Sequence, residues 1–231
     1  RVFLADGDAL VLPTAKLLKI LQALHDTFPK LQRVSSYAAP KDILRKSEEE
    51  LRQLKEAGLQ LLYYGMETGD DATLKAVNKG VNGEEAVEAG RRVTASGMKL
   101  SIMVILGLAG KEGSYRHAIE TAKAINIIQP TMWSALCLML YRGSELLEQF
   151  ERGEFNPLSP AECMEELYTI MENVNLPADK HCLFRSNHIS NYIPLAGTLP
   201  KDKHKLLAEI KYSAQELSKL KKWDVYNNTE Y

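Results

Sequence analysis

Three short stretches gather carboxylates, glycines and hydroxyls where they can act on a ligand: Asp6-Gly7-Asp8, Gly65-Met66-Glu67-Thr68-Gly69-Asp70 and Gly107-Leu108-Ala109-Gly110. Carboxylates at Asp6, Asp8 and Glu67 can accept from an ammonium group or a ribose hydroxyl. The glycines let backbone approach a ligand closely. Binding of a cationic, multiply polar small molecule is the chemistry this set suits. Taken alone, Asp-Gly-Asp is also the composition of an ordinary turn.

Each stretch follows an apolar run. Strands are expected at 2–5, 32–38, 59–67, 99–107 and 131–139, alternating with amphipathic helical segments. That alternation predicts repeated βα units and a parallel sheet. Leu59 to Tyr64 and Leu100 to Leu106 are almost continuously apolar, as strands covered on both faces should be. Parallel βα architectures bind ligands at the carboxyl ends of their strands, where the three stretches and Ser35-Ser36-Tyr37 fall. Ser47 with Glu50 and Asn82 with Glu85 read as capping boxes, and Gly58, Gly80 and Gly97 as helix stops. Leu51 and Leu54 in a helix at 47–57, and Leu17, Leu21, Leu24 and Phe28 in one at 14–28, should face the core.

Beyond Tyr141 the pattern changes. Gly143, Gly153, Pro157 and Pro160 interrupt the chain before helices at about 160–173 and 203–221, and no further strand is expected. The fold class is α/β: a partial (β/α) TIM-type barrel at 1–145 followed by a helical C-terminal extension at 146–231. Segment 184–202 is rich in donors and acceptors, and Arg185, Asn187 and His188 could close the barrel mouth or touch substrate. Its plainer reading is a capped loop before the last helix, with Asp202 as N-cap. His117 reads as a surface helix residue.

The 231 residues, 45% of them hydrophobic, suffice for one large domain with a helical tail. With 29 basic against 30 acidic residues there is no electrostatic case for bulk nucleic-acid or membrane-surface binding, so a small-molecule substrate is the default. No apolar run reaches the roughly 18–20 residues of a membrane span, and nothing at the start resembles a signal peptide. A cytoplasmic protein is expected. Cys137, Cys163 and Cys182 are too far apart for a metal motif or a disulfide framework and should be small buried hydrophobes.

Val2-Phe3-Leu4-Ala5-Asp6-Gly7-Asp8, Tyr63-Tyr64-Gly65-Met66-Glu67-Thr68-Gly69-Asp70-Asp71 with Leu74 to Gly80, and Ile105 to Gly110 together resemble the radical S-adenosylmethionine superfamily. The branch they are most similar to includes oxygen-independent coproporphyrinogen oxidase and the tRNA-modifying acetyltransferase subunit. The resemblance covers roughly residues 1–145. It implies that Asp6, Gly7 and Asp8 hold the family's glycine-rich position after the second barrel strand, where the methionyl ammonium is received. Aspartates replace the family's first glycine and its glutamate, which favours a backbone contact over one from the Asp8 side chain. It further implies that Glu67 faces the ribose and that Lys79 pairs with the methionyl carboxylate, supplying charge without arginine's bidentate fork. Ser36 and Tyr37 take the polar positions after the third barrel strand. Met103 and Gly107 belong to the strand that lines the adenine, although Met103 also suits a core.

The same resemblance implies two cofactors, S-adenosylmethionine and a [4Fe–4S] cluster, with an external electron donor. The family's cluster sits on a CxxxCxxC loop, which this sequence lacks. Since the first recognisable strand matches the family's second, the expectation is a chain truncated before the first βα unit and its cysteines, and inactive by itself. The parent enzyme would cleave S-adenosylmethionine reductively to a deoxyadenosyl radical acting on a substrate the sequence does not name. Two other readings stand beside this one: a non-catalytic βα-barrel binding or scaffold protein, and a metal-independent barrel enzyme with Glu67 as base.

Overall fold

The computed structural model describes residues 1–5 and 7–219. Its single sheet has seven strands in chain order: β1 (Val2–Leu4), β2 (Val34–Ala38), β3 (Leu59–Glu67), β4 (Lys99–Leu106), β5 (Met132–Cys137), β6 (Cys182–Ser186) and β7 (Leu195–Leu199). β1 to β6 run parallel and β7 runs antiparallel to β6. β1 and β7 are the two edges, so the barrel is partial and open, as the sequence predicts.

A 3₁₀ turn (Ala9–Val11) follows β1, and nine α-helices are described: α1 (Thr14–Thr27), α2 (Pro40–Leu44), α3 (Glu48–Glu56), α4 (Asp71–Ala76), α5 (Gly83–Ala95), α6 (Gly110–Ile128), α7 (Glu145–Glu151), α8 (Pro160–Asn173) and α9 (Lys203–Leu217). The expected capping boxes at Ser47/Glu50 and Asn82/Glu85 both form, and Ser159/Glu162 makes a third at the start of α8. Gly58 and Gly97 leave α3 and α5 with φ of 106° and 81°, a conformation that suits glycine.

The two long central strands show why their sequences are so apolar. Leu62, Tyr64 and Met66 of β3 and Leu100, Ile102, Val104 and Leu106 of β4 lie buried on the helix-covered face. Tyr64 donates its hydroxyl to the Ala86 carbonyl of α5 at 3.0 Å, which satisfies an otherwise costly buried polar group. The alternate residues, Tyr63, Gly65, Glu67, Ser101 and Met103, line the inner face. Leu17, Leu21, Leu51 and Leu54 join the core as expected, as do all three cysteines. Phe28 does not: it is the C-cap residue of α1 and stands half exposed, because the helix ends before its stripe completes another turn.

The expectation of no strand after residue 139 is corrected by β6 and β7. In β6, Cys182, Phe184 and Ser186 are buried while Leu183 and Arg185 are exposed on the inner face of the sheet. Phe184 packs on Trp133 of β5 with ring centroids 4.5 Å apart. Asp202 holds the N-cap position of α9, but its carboxylate accepts from the Thr198 amide at 2.8 Å and makes no cap bond to the helix. It therefore secures the end of β7. α9 ends at Leu217, and the last two positions of the expected helix lie outside the described residues. No helix among the described residues is long and apolar enough to cross a membrane.

Candidate functional site

The carboxyl end of β3 is shaped by a β-bulge. Gly65 pairs with Met103 and Glu67 with Val104, so Met66 is the extra residue and the register shifts. Bulges re-aim side chains, and here Glu67 takes φ 65°, a left-handed conformation unusual for a residue with a β-carbon. Its carboxylate turns back over Gly65 and accepts from Lys79 Nζ at 2.9 Å. Both side chains are about one-fifth exposed. Lys79 is delivered by the turn that ends α4, where Asn78 has φ 52° and Gly80 φ 77°. The resemblance thus names two residues, twelve positions apart, that the fold brings into one ion pair.

The remaining expected residues distribute around this pair. Tyr37 is exposed on the inner face, with its ring 4.8 Å from that of Phe3 and 6.2 Å from that of Tyr63. Met103 lines a cavity of about 310 Å³ with Tyr63, Ser134, Arg185, Asn187 and His188. The donor-rich segment after β5 therefore does reach the inner face, next to the β3 and β4 residues. Gly107 turns the chain at the end of β4 with φ 80°.

Others are used differently. Ser36 is fully buried on the helix side of β2 and donates its hydroxyl to the Tyr37 carbonyl at 2.8 Å, away from the cavity. Both oxygens of Asp8 are occupied by backbone amides, Leu10 at 2.8 Å and Ala39 at 2.5 Å. Burial, with Asp42 beside it, still raises the Asp8 carboxyl above its ordinary value. Its work is to tie the loop after β1 to the loop after β2. Gly7, at φ 83°, makes that loop's turn. Asp6 lies outside the described residues.

The sequence reading missed a buried polar group behind the site. His117 is not on the surface: it is fully buried in α6, and its Nδ1 lies 2.8 Å from Thr68 Oγ1. Its stripe neighbours Gly113, Thr121 and Ile125 are all buried, and their i, i+4 spacing is the signal that could have revealed it. Asp70 is held by Arg116 at 2.7 Å, and although burial pushes its carboxyl up, the Arg116 and Thr73 bonds bring it below its ordinary value. Gly69 must be small: a β-carbon there would meet the Glu120 backbone.

An iron–sulfur cluster does not fit the residues present. Cys137, Cys163 and Cys182 are buried on β5, α8 and β6, and no group of three or more His, Cys, Asp or Glu among the described residues is placed to hold a metal ion. A nucleoside carrying an amino acid does suit the inner rim. That rim offers a lysine, a carboxylate over a glycine cradle, an aromatic cluster and a mixed apolar and polar cavity.

Comparison with known proteins agrees on the fold and the family. The chain is 26% identical over 120 residues to the tRNA uridine(34) acetyltransferase of Methanocaldococcus infernus, covering 52% of this chain and 22% of that protein. It is 23% identical over 172 residues to the heme chaperone HemW of Bacillus subtilis, covering 74% of this chain and 44% of that one. The chain thus spans less than half the length of the curated relatives it matches. Its structure is similar to archaeal Methanocaldococcus infernus Elp3 with an N-terminal deletion, at a TM-score of 0.62 and 18% identity, covering 94% of this chain and 54% of that one. The family model for the Radical SAM superfamily matches residues 1–123, more than half of the chain, and takes in the first strands, the Glu67–Lys79 pair and the Gly107 turn: the chain belongs to that superfamily.

Proposed function

We propose that this chain binds S-adenosylmethionine along the carboxyl ends of β1 to β5, as the nucleotide-binding part of a radical enzyme whose cluster ligands lie in residues outside this sequence. The observation that carries the reading is the Glu67–Lys79 pair laid over Gly65 on the inner rim. A lysine has three N–H donors, so Lys79 can keep Glu67 and still offer donors to a methionyl carboxylate. Glu67 can accept from a ribose hydroxyl. The backbone around Gly7 is the candidate contact for the ammonium, and Met103 with the Gly107 turn would face the adenine.

When bound, S-adenosylmethionine supplies a sulfonium whose adenosyl group can be released by one-electron reduction. The residues here bind and orient it. The partners belonging to this reading are an external electron donor and a small-molecule substrate, the latter in the cavity lined by Met103, Ser134 and Arg185.

Titration of the chain with S-adenosylmethionine and with S-adenosylhomocysteine, by calorimetry, tests the reading. Binding of both is expected, with Lys79→Ala weakening S-adenosylmethionine about tenfold or more, the loss of one charged contact. No binding, or binding indifferent to Lys79, would move the assignment to a scaffold protein. Anaerobic reconstitution of the protein encoded by the whole reading frame, scored by iron content and deoxyadenosine formation, then tests the radical chemistry.

A further inference from the structure

Behind the candidate site, between the ends of β3 and β4, lies a set of buried polar groups that ligand contact does not use. The Gly107 amide donates to Glu166 Oε1 at 2.7 Å. Glu166 comes from α8, 59 residues further along, and is 3% exposed. Its Oε2 accepts from Ser114 Oγ of α6 at 2.5 Å. On the other side, His117 Nε2 lies 3.6 Å from Glu166 Oε1 and has no hydrogen-bond partner among the described residues. Thr68 Oγ1 accepts from the Asp70 amide at 2.9 Å, and its own proton can go to His117 Nδ1 in the tautomer that leaves that nitrogen bare. That tautomer puts the imidazole proton on Nε2, facing the Glu166 carboxyl. Hydrogen bonds thus tie Glu166 to the Gly107 turn and His117 to Thr68, the neighbour of Glu67, and the two halves meet at the 3.6 Å His117–Glu166 contact, which is too long for a hydrogen bond.

Polar groups this deep are costly unless joined, and a joined set rigidifies what it touches. Apolar residues would hold α6 against α8 equally well, so packing alone does not account for a carboxyl and an imidazole here. We propose that Glu166 and His117 are positioning residues, a buried latch that fixes the 67–70 loop and the 107–110 turn relative to each other so that both halves of the site order as one unit. That the latch serves a nucleotide rests on the function proposed above; the coupling of the two loops does not. Glu166 lies on α8, beyond residues 1–123 that the superfamily model matches.

Amide hydrogen exchange on the full chain, read by mass spectrometry, tests it. Glu166→Met should speed exchange at both 107–110 and 67–70 by about tenfold, as loss of one buried hydrogen bond would, while β3 and β4 stay protected. Glu166→Gln, which keeps an acceptor for Gly107 and a donor for Ser114, should restore most of the protection. Thr68→Val, nearly isosteric, breaks the set at its other end and should loosen 107–110; it decides the matter even where Glu166→Met fails to fold. Loosening confined to the loop nearest each substitution overturns the latch, as does no loosening at all. Adding S-adenosylhomocysteine separates the two ideas: if it protects neither loop in the unsubstituted chain, the nucleotide reading fails while the variants alone still judge the latch.

Discussion

The Glu67 carboxylate lies over Gly65, in the space a β-carbon on Gly65 would need, and Lys79 Nζ stands 3.4 Å from the same point. The absent side chain is what lets the bulge bring acid and base together. Gly65→Ala should therefore push the carboxylate aside while costing little stability, because the atom that must yield is the end of a flexible side chain. The expected result is a melting temperature within a few degrees of the unsubstituted chain, corresponding to about 1 kcal/mol, with S-adenosylmethionine affinity down about tenfold. Calorimetric titration beside a thermal melt separates the two effects.

Glu67 itself holds an unfavourable backbone conformation at φ 65°. Replacing it with glycine relieves roughly 1–2 kcal/mol of left-handed strain and gives up an ion pair about one-fifth exposed, worth about 0–1 kcal/mol. Glu67→Gly should then melt no lower than the unsubstituted chain yet bind the nucleotide poorly. A residue that is strained, dispensable for stability and needed for binding is what a functional role predicts. A clear fall in melting temperature would instead make the pair structural.

Gly69→Ala should behave in the opposite way to Gly65→Ala. Its β-carbon would press on the Glu120 backbone, and the Gly69 amide donates to Thr121 Oγ1 at 3.0 Å, so neither side can retreat. A loss of about 1–3 kcal/mol is expected, seen as a lower urea midpoint with unchanged slope.

Glu166 and His117 should oppose each other in acid. Burial raises Glu166 to about 7, against the bonds from Ser114 and Gly107, and burial lowers His117 to about 4, against the pull of Asp70. Arg116, bound to Asp70, Lys111, bound to Glu162, and the Cys137 and Cys163 thiols are the other ionisable groups around them. Between its ordinary 4.5 and about 7, folded Glu166 keeps a proton that the unfolded chain has released, so its contribution to stability falls as pH rises. Between about 4 and the ordinary 6.5, the unfolded chain takes a proton that folded His117 refuses, so that contribution rises with pH. Across the overlap the two slopes, each at most about 1.4 kcal/mol per pH unit, largely cancel. Glu166→Gln removes the first alone, and urea stability should then climb more steeply between about pH 4.5 and 6.5. Parallel curves for the two proteins would show that Glu166 ionises normally when folded.

The barrel core was legible because β3 and β4 are long runs, mostly apolar and with one face fully buried under helices, and because Ser47 and Asn82 carry their acidic partners three residues on. Glu67 and Lys79 were legible only through resemblance, since an ion pair spanning a bulge and a helix has no local period. β6 escaped because five residues alternating Cys182, Leu183, Phe184, Arg185 and Ser186 look like loop until Trp133 is known to cover Phe184. Asp202 looked like a cap because it precedes a helix, but the Thr198 amide competes for its carboxylate and wins. Glu166 offered nothing to single it out in a helix that also carries Glu162, Glu165 and Glu172. Its partners lie 52 and 59 residues back.

That separation also sets an order of events at the ribosome. The polypeptide leaves with its amino end first, so β4 and the Gly107 amide emerge well before the carboxyl group that will receive it. Until α8 has been made, the turn that completes the rim has only solvent for a partner. The rim is therefore among the last parts of the molecule to mature, although the strands beneath it are among the first to be synthesised.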